Sequence, residues 1–530
     1  MEHPTINLRW GTSRDRKVLE RSLQAVTDSL SQFPKLKDCD ILNLASVFFE
    51  SCDSPTSLGL YLCIRHGDIR SLLTHSIDPR SYTEQMVDLF SLDHQCVSLL
   101  SKYPFEVPLF DTRAAAVDAG LWAEASCSSS NDRLYNWADG RLVAPPGVDS
   151  AISLATDRIA WLLGRFDAGE WESECRFGPG VSCNDSSTVF YDKLHRDVGV
   201  NPQAYPLILS HINASERWRQ SFSGSEEGPF QKVKFLRLED YGRRTYVPKN
   251  AKTDRPIEIQ PGFSAYLQLG IGRMIRSRLK NVGVDLDHGW RKNAHLAYIG
   301  SKDGSLVTLD LKSASDTICR QLVLQLLPSD WLHAMTMVRP RFLLDNERLV
   351  ETERFSSMGN GYTFELESMI FYALVWACRR LSDDSSSFAI FGDDIAVGAS
   401  SVPLIEETFR FCGLTFNEKK SFRHGLFRES CGADWFLGVD VSPLRITREV
   451  ENAQDLVELC NRIRRYAIIP GSSCYLDSRY RQLWIRSIRH LPPAVRSHLS
   501  GPTVLGNDSW LHADTESFMS NPIFKQWWSD

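Results

Sequence analysis

Apolar positions recur three and four residues apart through most of the first 125 residues, as in LYLCIRHGDIRSLL, and predict helices there. The pattern breaks at CSSSND (127–132) and APPG (144–147), polar and Gly/Pro-rich runs that predict a loop-rich stretch. Amphipathic spacing resumes over 150–166, and SGSEEGP at 223–229 predicts another break. A Lys/Arg-rich part then reads as extended chain and leads into a helix near 264–281. From Leu306 the period changes: LVTLDL is a buried strand, SASDTICRQLVLQLL a loop and helix, and SSMGNG a glycine-rich loop. TFELESMIFYALVWACRRL reads as a helix, and FAIFGDDIAVGA (388–399) as two apolar strands joined by a polar turn. The last hundred residues return to an Arg-rich helical pattern, as in NRIRRYAII and RYRQLWIRSIRHL. This alternation predicts an α+β fold with an antiparallel sheet at its centre.

Composition narrows the class. With 42% apolar and 24% charged residues the chain is globular rather than disordered, and 530 residues suit two to four domains or subdomains. The net charge of −6 gives no general attraction for nucleic acid, yet Gln231–Lys292 holds 14 Lys/Arg against 6 Asp/Glu. The 13 cysteines are odd in number and scattered, without a CxxC, which argues against a disulfide framework or a structural zinc site. The N-terminal MEHPTINLRWGTSRDRK has no apolar signal core, and MIFYALVWAC (369–378) is too short to span a bilayer. A soluble intracellular protein that meets no membrane is expected.

Four segments carry candidate chemistry. In FAIFGDDIAVGA, Asp393 and Asp394 interrupt an apolar run. Two carboxylates about 4 Å apart repel by about 4 kcal/mol at an effective dielectric of about 20, so the run implies an exposed turn or a bound cation. In VTLDLKSASD, Asp310 ends an apolar strand and Asp316 follows, either as a functional carboxylate or as the N-cap of the next helix. Asp310 and Asp393 facing one cleft could hold two divalent cations about 3.5–4 Å apart, the clamp for in-line displacement at phosphorus. Hard oxygen ligands favour magnesium or manganese. SSMGNGYTFELE (356–367) lets backbone approach a ligand closely, or simply leads into a core helix. RRTYVPKNAKTDRP (243–256) sets five cations in a short stretch, suited to phosphate oxygens or to a solvated loop.

In order and spacing, these segments resemble motifs F, A, B and C of viral RNA-dependent RNA polymerases. VPKNAKTDRPIEIQPG, LQLGIG, SSMGNGYTFELES, GDDI and FRESCG are similar to the replicase catalytic (beta) subunit of the small positive-strand RNA bacteriophages, the Q-beta-like leviviruses. The resemblance is strong over about 240–445 and faint before 230, where FGPG (177–180) is the main trace. It implies a right-hand fold of fingers, palm and thumb. The implied divisions are a mostly helical fingers-associated region (1–230), fingers with motif F (231–300), a palm with motifs A–D (301–425), and motif E with a helical thumb (426–530). By motif, Asp310, Asp393 and Asp394 are implied as the site of two Mg2+ ions, with Mn2+ as a substitute. Asp316 is implied as the sensor of the ribose 2′-hydroxyl, and Ser357, Gly359, Asn360 and Thr363 as the loop against template and nucleotide. Lys249, Lys252 and Arg255 are implied as triphosphate-binding, with Arg244 a further candidate. GLTFNEKKSF resembles motif D, and both Lys419 and Lys420 fit its general acid.

The family implies template and nascent RNA, ribonucleoside triphosphates, host elongation factors Tu and Ts and a ribosomal protein as partners, in the cytoplasm of an infected bacterium. Two rivals stand beside this reading. A reverse transcriptase would carry an aromatic gate where this chain has Ser313-Ala314-Ser315-Asp316. A non-catalytic RNA-binding protein would explain the basic segment but not the carboxylates. One position departs from the wider polymerase pattern: Glu367 stands where many have an asparagine that assists ribose recognition. The Arg-rich C-terminal stretch, including Arg462, Arg464 and Arg465, suits either an RNA channel or a solvated face.

Overall fold

The computed structural model describes residues 33–105, 109–183, 198–214, 236–468 and 476–493, with scattered positions outside these ranges. SGSEEGP lies outside them. The chain is α+β, and its contacts resolve two compact units, each discontinuous in sequence. One comprises Met1–Asp78, Asp88–Phe110 and Pro443–Asp530; the other comprises Pro79–Val87 and Asp111–Ser442.

The first unit is largely helical, with helices at Asp38–Glu50, Pro55–Arg65, Ala453–Ala467 and Ser478–Arg489. Ser54 starts the second of these with a reciprocal capping box to Ser57, and Pro55 follows where its missing N–H costs nothing. Phe48 and Tyr480 join the N- and C-terminal parts, ring centroids 5.1 Å apart. Here the Arg-rich stretch is partly structural. Arg464 is buried with its guanidinium 5.6 Å from the Trp484 ring, and Arg462 donates to the Arg445 carbonyl at 2.7 Å.

The main segment of the second unit begins with α1 (Thr112–Ala138), which corrects the loop expected at CSSSND. Asp111 caps the helix by accepting from the Ala114 amide at 2.7 Å. Ala116, Gly120, Ala123, Cys127, Ser130 and Leu134 then form one buried stripe at helical spacing. All but Leu134 are small, so the backbone approaches its neighbours closely, and Ser130 turns its hydroxyl back to the Ser126 carbonyl. Serines thus serve here as small helical residues, not as loop formers. APPG does form a loop, with Gly147 at φ +83° before α2 (Val148–Leu163).

After α3 (Ala168–Glu174) come β1 (Val198–Val200) and β2 (Leu236–Leu238), paired in parallel. The basic segment is a long antiparallel hairpin of β3 (Tyr241–Asn250) and β4 (Thr253–Ile259). Next are α4 (Gly262–Asn281), α5 (Trp290–Asp303) and β5 (Leu306–Asp310). They are followed by α6 (Arg320–Leu326), α7 (Ser329–Val338), β6 (Phe342–Asp345) and β7 (Arg348–Glu351). Strand order β4-β3-β6-β7 makes one sheet.

The expected core helix is α8 (Thr363–Leu381), buried on nearly every side and packed against α2 and α4. β8 (Ala389–Phe391) and β9 (Asp394–Gly398) are the expected hairpin, and β5-β9-β8 forms an antiparallel sheet. Behind it α9 (Val402–Phe411) packs on α8. The unit closes with β10 (Phe427–Ser430), β11 (Ala433–Phe436) and β12 (Val439–Asp440), an antiparallel sheet covered by α5.

Candidate active site

The β5-β9-β8 register decides where the aspartates sit. Asp310 is paired with Asp394 across β5 and β9, and Phe391 with Asp394 across the hairpin, leaving Gly392 and Asp393 as a two-residue turn. Gly392 takes φ +58°, and a Cβ there would lie 2.5 Å from the Phe364 ring, so both conformation and space require glycine. The Asp394 Oδ1 accepts from the Cys431 amide at 3.1 Å and from Ser430 Oγ at 3.3 Å, both of FRESCG. Asp310 Oδ2 accepts from Asn417 Nδ2 at 2.9 Å, while Lys420 Nζ stands 3.7 Å from its Oδ1.

The three aspartates share one electrostatic site. Burial pushes the Asp310 carboxyl up to about 6; Lys420 opposes the rise and Asp393 adds to it. Burial also raises Asp394, against the Cys431 amide and with the help of Asp393 and Asp310. Among the described residues, no three His, Cys, Asp or Glu side chains stand converged as a ready ligand set. The donor chemistry nevertheless fits a hard divalent cation: carboxylates that repel one another, with an ammonium already drawn to the first of them.

The cations divide into two groups. Burial works against charge on Lys420, but Glu429, Asp310, Asp394 and Asp393 hold its ammonium above the usual range. Desolvation lowers Lys249, as do Arg255 and Lys420, while Asp310 and Asp393 pull the other way. Lys249 and Lys420 therefore stand by the acidic cluster, and Arg255 stands by Lys249. Lys252 is lowered by desolvation and by Lys419, so these two are neighbours of each other. Arg244 pairs with β6, its Nη1 2.9 Å from Asp345 Oδ2, and its charge also acts on Asp316.

The SSMGNG loop is sewn to β4. Ser357 Oγ donates to Glu258 Oε2 at 2.5 Å, the Glu258 amide donates to the Met358 carbonyl at 2.8 Å, and Asn360 Nδ2 donates to Gln260 Oε1 at 3.1 Å. Thr363 Oγ1 donates to the Ser357 carbonyl at 2.8 Å. Gly359 adopts φ +122° with its Cα against the Glu258 carbonyl, leaving no room for a side chain. From the other side, a Cβ on Gly272 of LQLGIG would lie 2.7 Å from the Gly361 carbonyl oxygen. Ser357, Asn360 and Thr363 thus spend their polar atoms on the shape of the loop.

Asp316 closes a short turn entered through Ser313 at φ +52°. Its Oδ1 lies 3.3 Å from Nη1 of the buried Arg354. Arg354, Glu258, Glu124, Asn417 and Glu429 all reach this region, and none was singled out in the sequence. Their only available signal was a charged or amide side chain in a segment otherwise bound for the interior. Glu367 is buried on α8; burial and then Asp393 raise its carboxyl well above the usual range, against a hydrogen bond with Ser315.

Comparison with known proteins agrees with these motifs. A family model described as "RNA replicase, beta-chain" matches residues 67–525. The RNA-directed RNA polymerase beta chain of Enterobacteria phage fr is 40% identical over 468 residues, covering 87% of this chain and 80% of its own. The RNA-directed RNA polymerase subunit beta of Escherichia virus Qbeta is 35% identical over 422 residues, covering 77% of this chain and 67% of its own. The beta chain of Escherichia phage MS2 is 42% identical over 360 residues, covering 67% and 63%. With its carboxylate hairpin, basic strands and glycine loop in one unit, this chain belongs to the RNA replicase beta-chain family, the RNA-directed RNA polymerases of RNA phages.

Proposed function

We propose that the chain copies single-stranded phage RNA by template-directed nucleotidyl transfer, with its chemistry at Asp310, Asp393 and Asp394. The observation that carries this is the β5-β9 register, which sets Asp310 beside Asp394 with Asp393 at the adjoining turn. These three carboxylates would hold two Mg2+ ions, or Mn2+ in their place. When bound, the ions supply Lewis-acid activation of the primer 3′-hydroxyl and neutralisation of charge on the triphosphate.

The protein's own groups do the rest. Lys249 and Arg255 project from the β3–β4 hairpin to bind the triphosphate of the incoming ribonucleotide, with Lys252 beyond them. Asp316 receives the ribose 2′-hydroxyl, and the 356–361 loop, rigid through its bonds to β4, supports the nascent base pair. The 3′-oxygen displaces pyrophosphate from the α-phosphorus. Lys420, standing 3.7 Å from Asp310, donates the proton that leaves with pyrophosphate. Base pairing with template RNA selects the nucleotide. In this reading the β5-β9-β8 sheet is the palm, the β3–β4 hairpin belongs to the fingers, and the C-terminal helices belong to the thumb. Work in the cytoplasm of an infected bacterium, with elongation factors Tu and Ts and a ribosomal protein as partners, follows from the family resemblance. Among the described residues, no helix is long and apolar enough to cross a membrane.

Magnesium titration of RNA synthesis by wild type, Asp310→Asn and Asp394→Asn tests the assignment. Both variants are expected to bind RNA normally and to synthesise less than a hundredth of the wild-type product at any magnesium concentration, a loss of the size single catalytic groups supply. Wild-type synthesis by either variant would reject the carboxylate site.

A further inference from the structure

Arg354 is only 3% exposed and belongs to no helix or strand. Its guanidinium lies among three carboxylates from three separate elements. Nη1 is 3.3 Å from Asp316 Oδ1, Nε is 3.4 Å from Glu124 Oε1 on α1, and Nη2 is 4.0 Å from Glu258 Oε2 on β4. Among the described residues it is the one cation within 4.0 Å of the Asp316 carboxylate. Neither Nε nor Nη1 completes a hydrogen bond. The attraction is therefore Coulombic and shared, and the guanidinium works as a hub rather than as half of one fixed pair.

The hub is itself held still. Arg339 Nη2 donates to the Arg354 carbonyl and to Thr352 Oγ1, each at 2.9 Å. The Glu353 amide donates to Glu124 Oε2 at 2.8 Å. On the far side, Glu258 accepts from Ser357, so the strand that touches Arg354 also carries the glycine loop. The Asp316 carbonyl accepts from Cys127 Sγ at 3.4 Å, which fixes the backbone of Asp316 and leaves its carboxylate to be aimed by Arg354, with the more distant Arg244 exerting a smaller pull.

We propose that Arg354 is the positioning residue for sugar selection: it orients Asp316 and, through Glu258, the 356–361 loop, so that a ribonucleotide is accepted in preference to a deoxyribonucleotide. This rests on the reading of Asp316 as the partner of the ribose 2′-hydroxyl. A site built to bond a hydroxyl rejects the analogue lacking it only while its polar group is held in place. Removing Arg354 would free Asp316 without touching the Asp310–Asp393–Asp394 cluster.

The test compares kcat/KM for UTP and dUTP on one RNA template, with a thermal melt for every protein. Arg354→Lys keeps one charge but loses the planar fork. The double variant Arg354→Gln, Glu124→Gln removes one charge of each sign, so the net charge of the buried site is unchanged. Asp316→Asn runs beside them. The UTP/dUTP ratio is expected to fall about tenfold in both Arg354 proteins, through a higher KM for UTP with dUTP little changed, and in the same direction in Asp316→Asn. Folded Arg354 variants that keep the wild-type ratio, while Asp316→Asn loses it, would overturn the inference alone. An unchanged ratio in Asp316→Asn would reject the ribose reading, and the inference with it. Unfolding of both Arg354 proteins would make the residue a stabiliser of the fold, which also overturns the inference.

Discussion

Lys419 and Lys420 are adjacent and chemically identical, yet the structure separates them. Lys420 faces Asp310 and feels all three aspartates, whereas Lys419 neighbours Lys252. Lys420→Ala is expected to lower the single-turnover rate by about a hundredfold, the usual contribution of a positioned proton donor, and Lys419→Ala by no more than a few-fold. Equal effects would remove the distinction. The sequence named both lysines and could not choose, because the choice depends on which way the chain leaves α9. The same limit explains why Arg354 went unnoticed while Asp310, Asp393 and Asp394 did not. A carboxylate inside an apolar strand is conspicuous in one dimension, whereas an arginine that bridges three distant elements is conspicuous only in three.

Elements with a clear period were the legible ones. LVTLDL, the GDD hairpin and the long apolar helix all form where alternation or helical spacing placed them, because burial on a fixed face leaves a periodic trace. The helix α1 left none of the expected kind: its buried face is small and partly polar, and serine and asparagine ordinarily mark loops. The glycine loop was legible as a loop, but its attachment to β4 was not. That attachment yields a sharp expectation at Gly359, where φ is +122° and the Glu258 carbonyl fills the Cβ position. Gly359→Ala should displace the loop and lower the melting temperature by several degrees, the effect of about 1–2 kcal/mol of backbone strain plus a steric clash; an unchanged melt would show that the loop is not clamped.

Behind the hairpin, Asp384 accepts from Ser386, Ser401 and Arg379 and fills the space beside Gly398. Burial opposes its charge, but these bonds outweigh it and hold the carboxyl below the usual range. A depressed acid stabilises the fold above its unfolded pKa, and the benefit disappears as pH falls through the folded value. Asp384→Asn is therefore expected to cost about 2 kcal/mol at pH 7, with the gap to wild type closing below about pH 4 in denaturant titrations. A gap that widens in acid would contradict this.

At the scale of the molecule, sequence pattern gave the α+β class but not the partition of the chain. One unit is assembled from three separated segments, and periodicity along a chain carries no information about which distant segments meet. Net charge was equally silent: a protein of −6 still gathers Lys249 and Lys420 at its acidic site. The central claim is that this chain makes RNA at the GDD turn. It is tested most directly by incorporation of labelled ribonucleotides on an RNA template with magnesium, using wild type and Asp393→Asn in parallel, each with and without bacterial extract. The account predicts template-length product from wild type, in extract at the least, and none from Asp393→Asn although it still binds RNA. Template-length product from Asp393→Asn, or none from wild type under either condition, would contradict it.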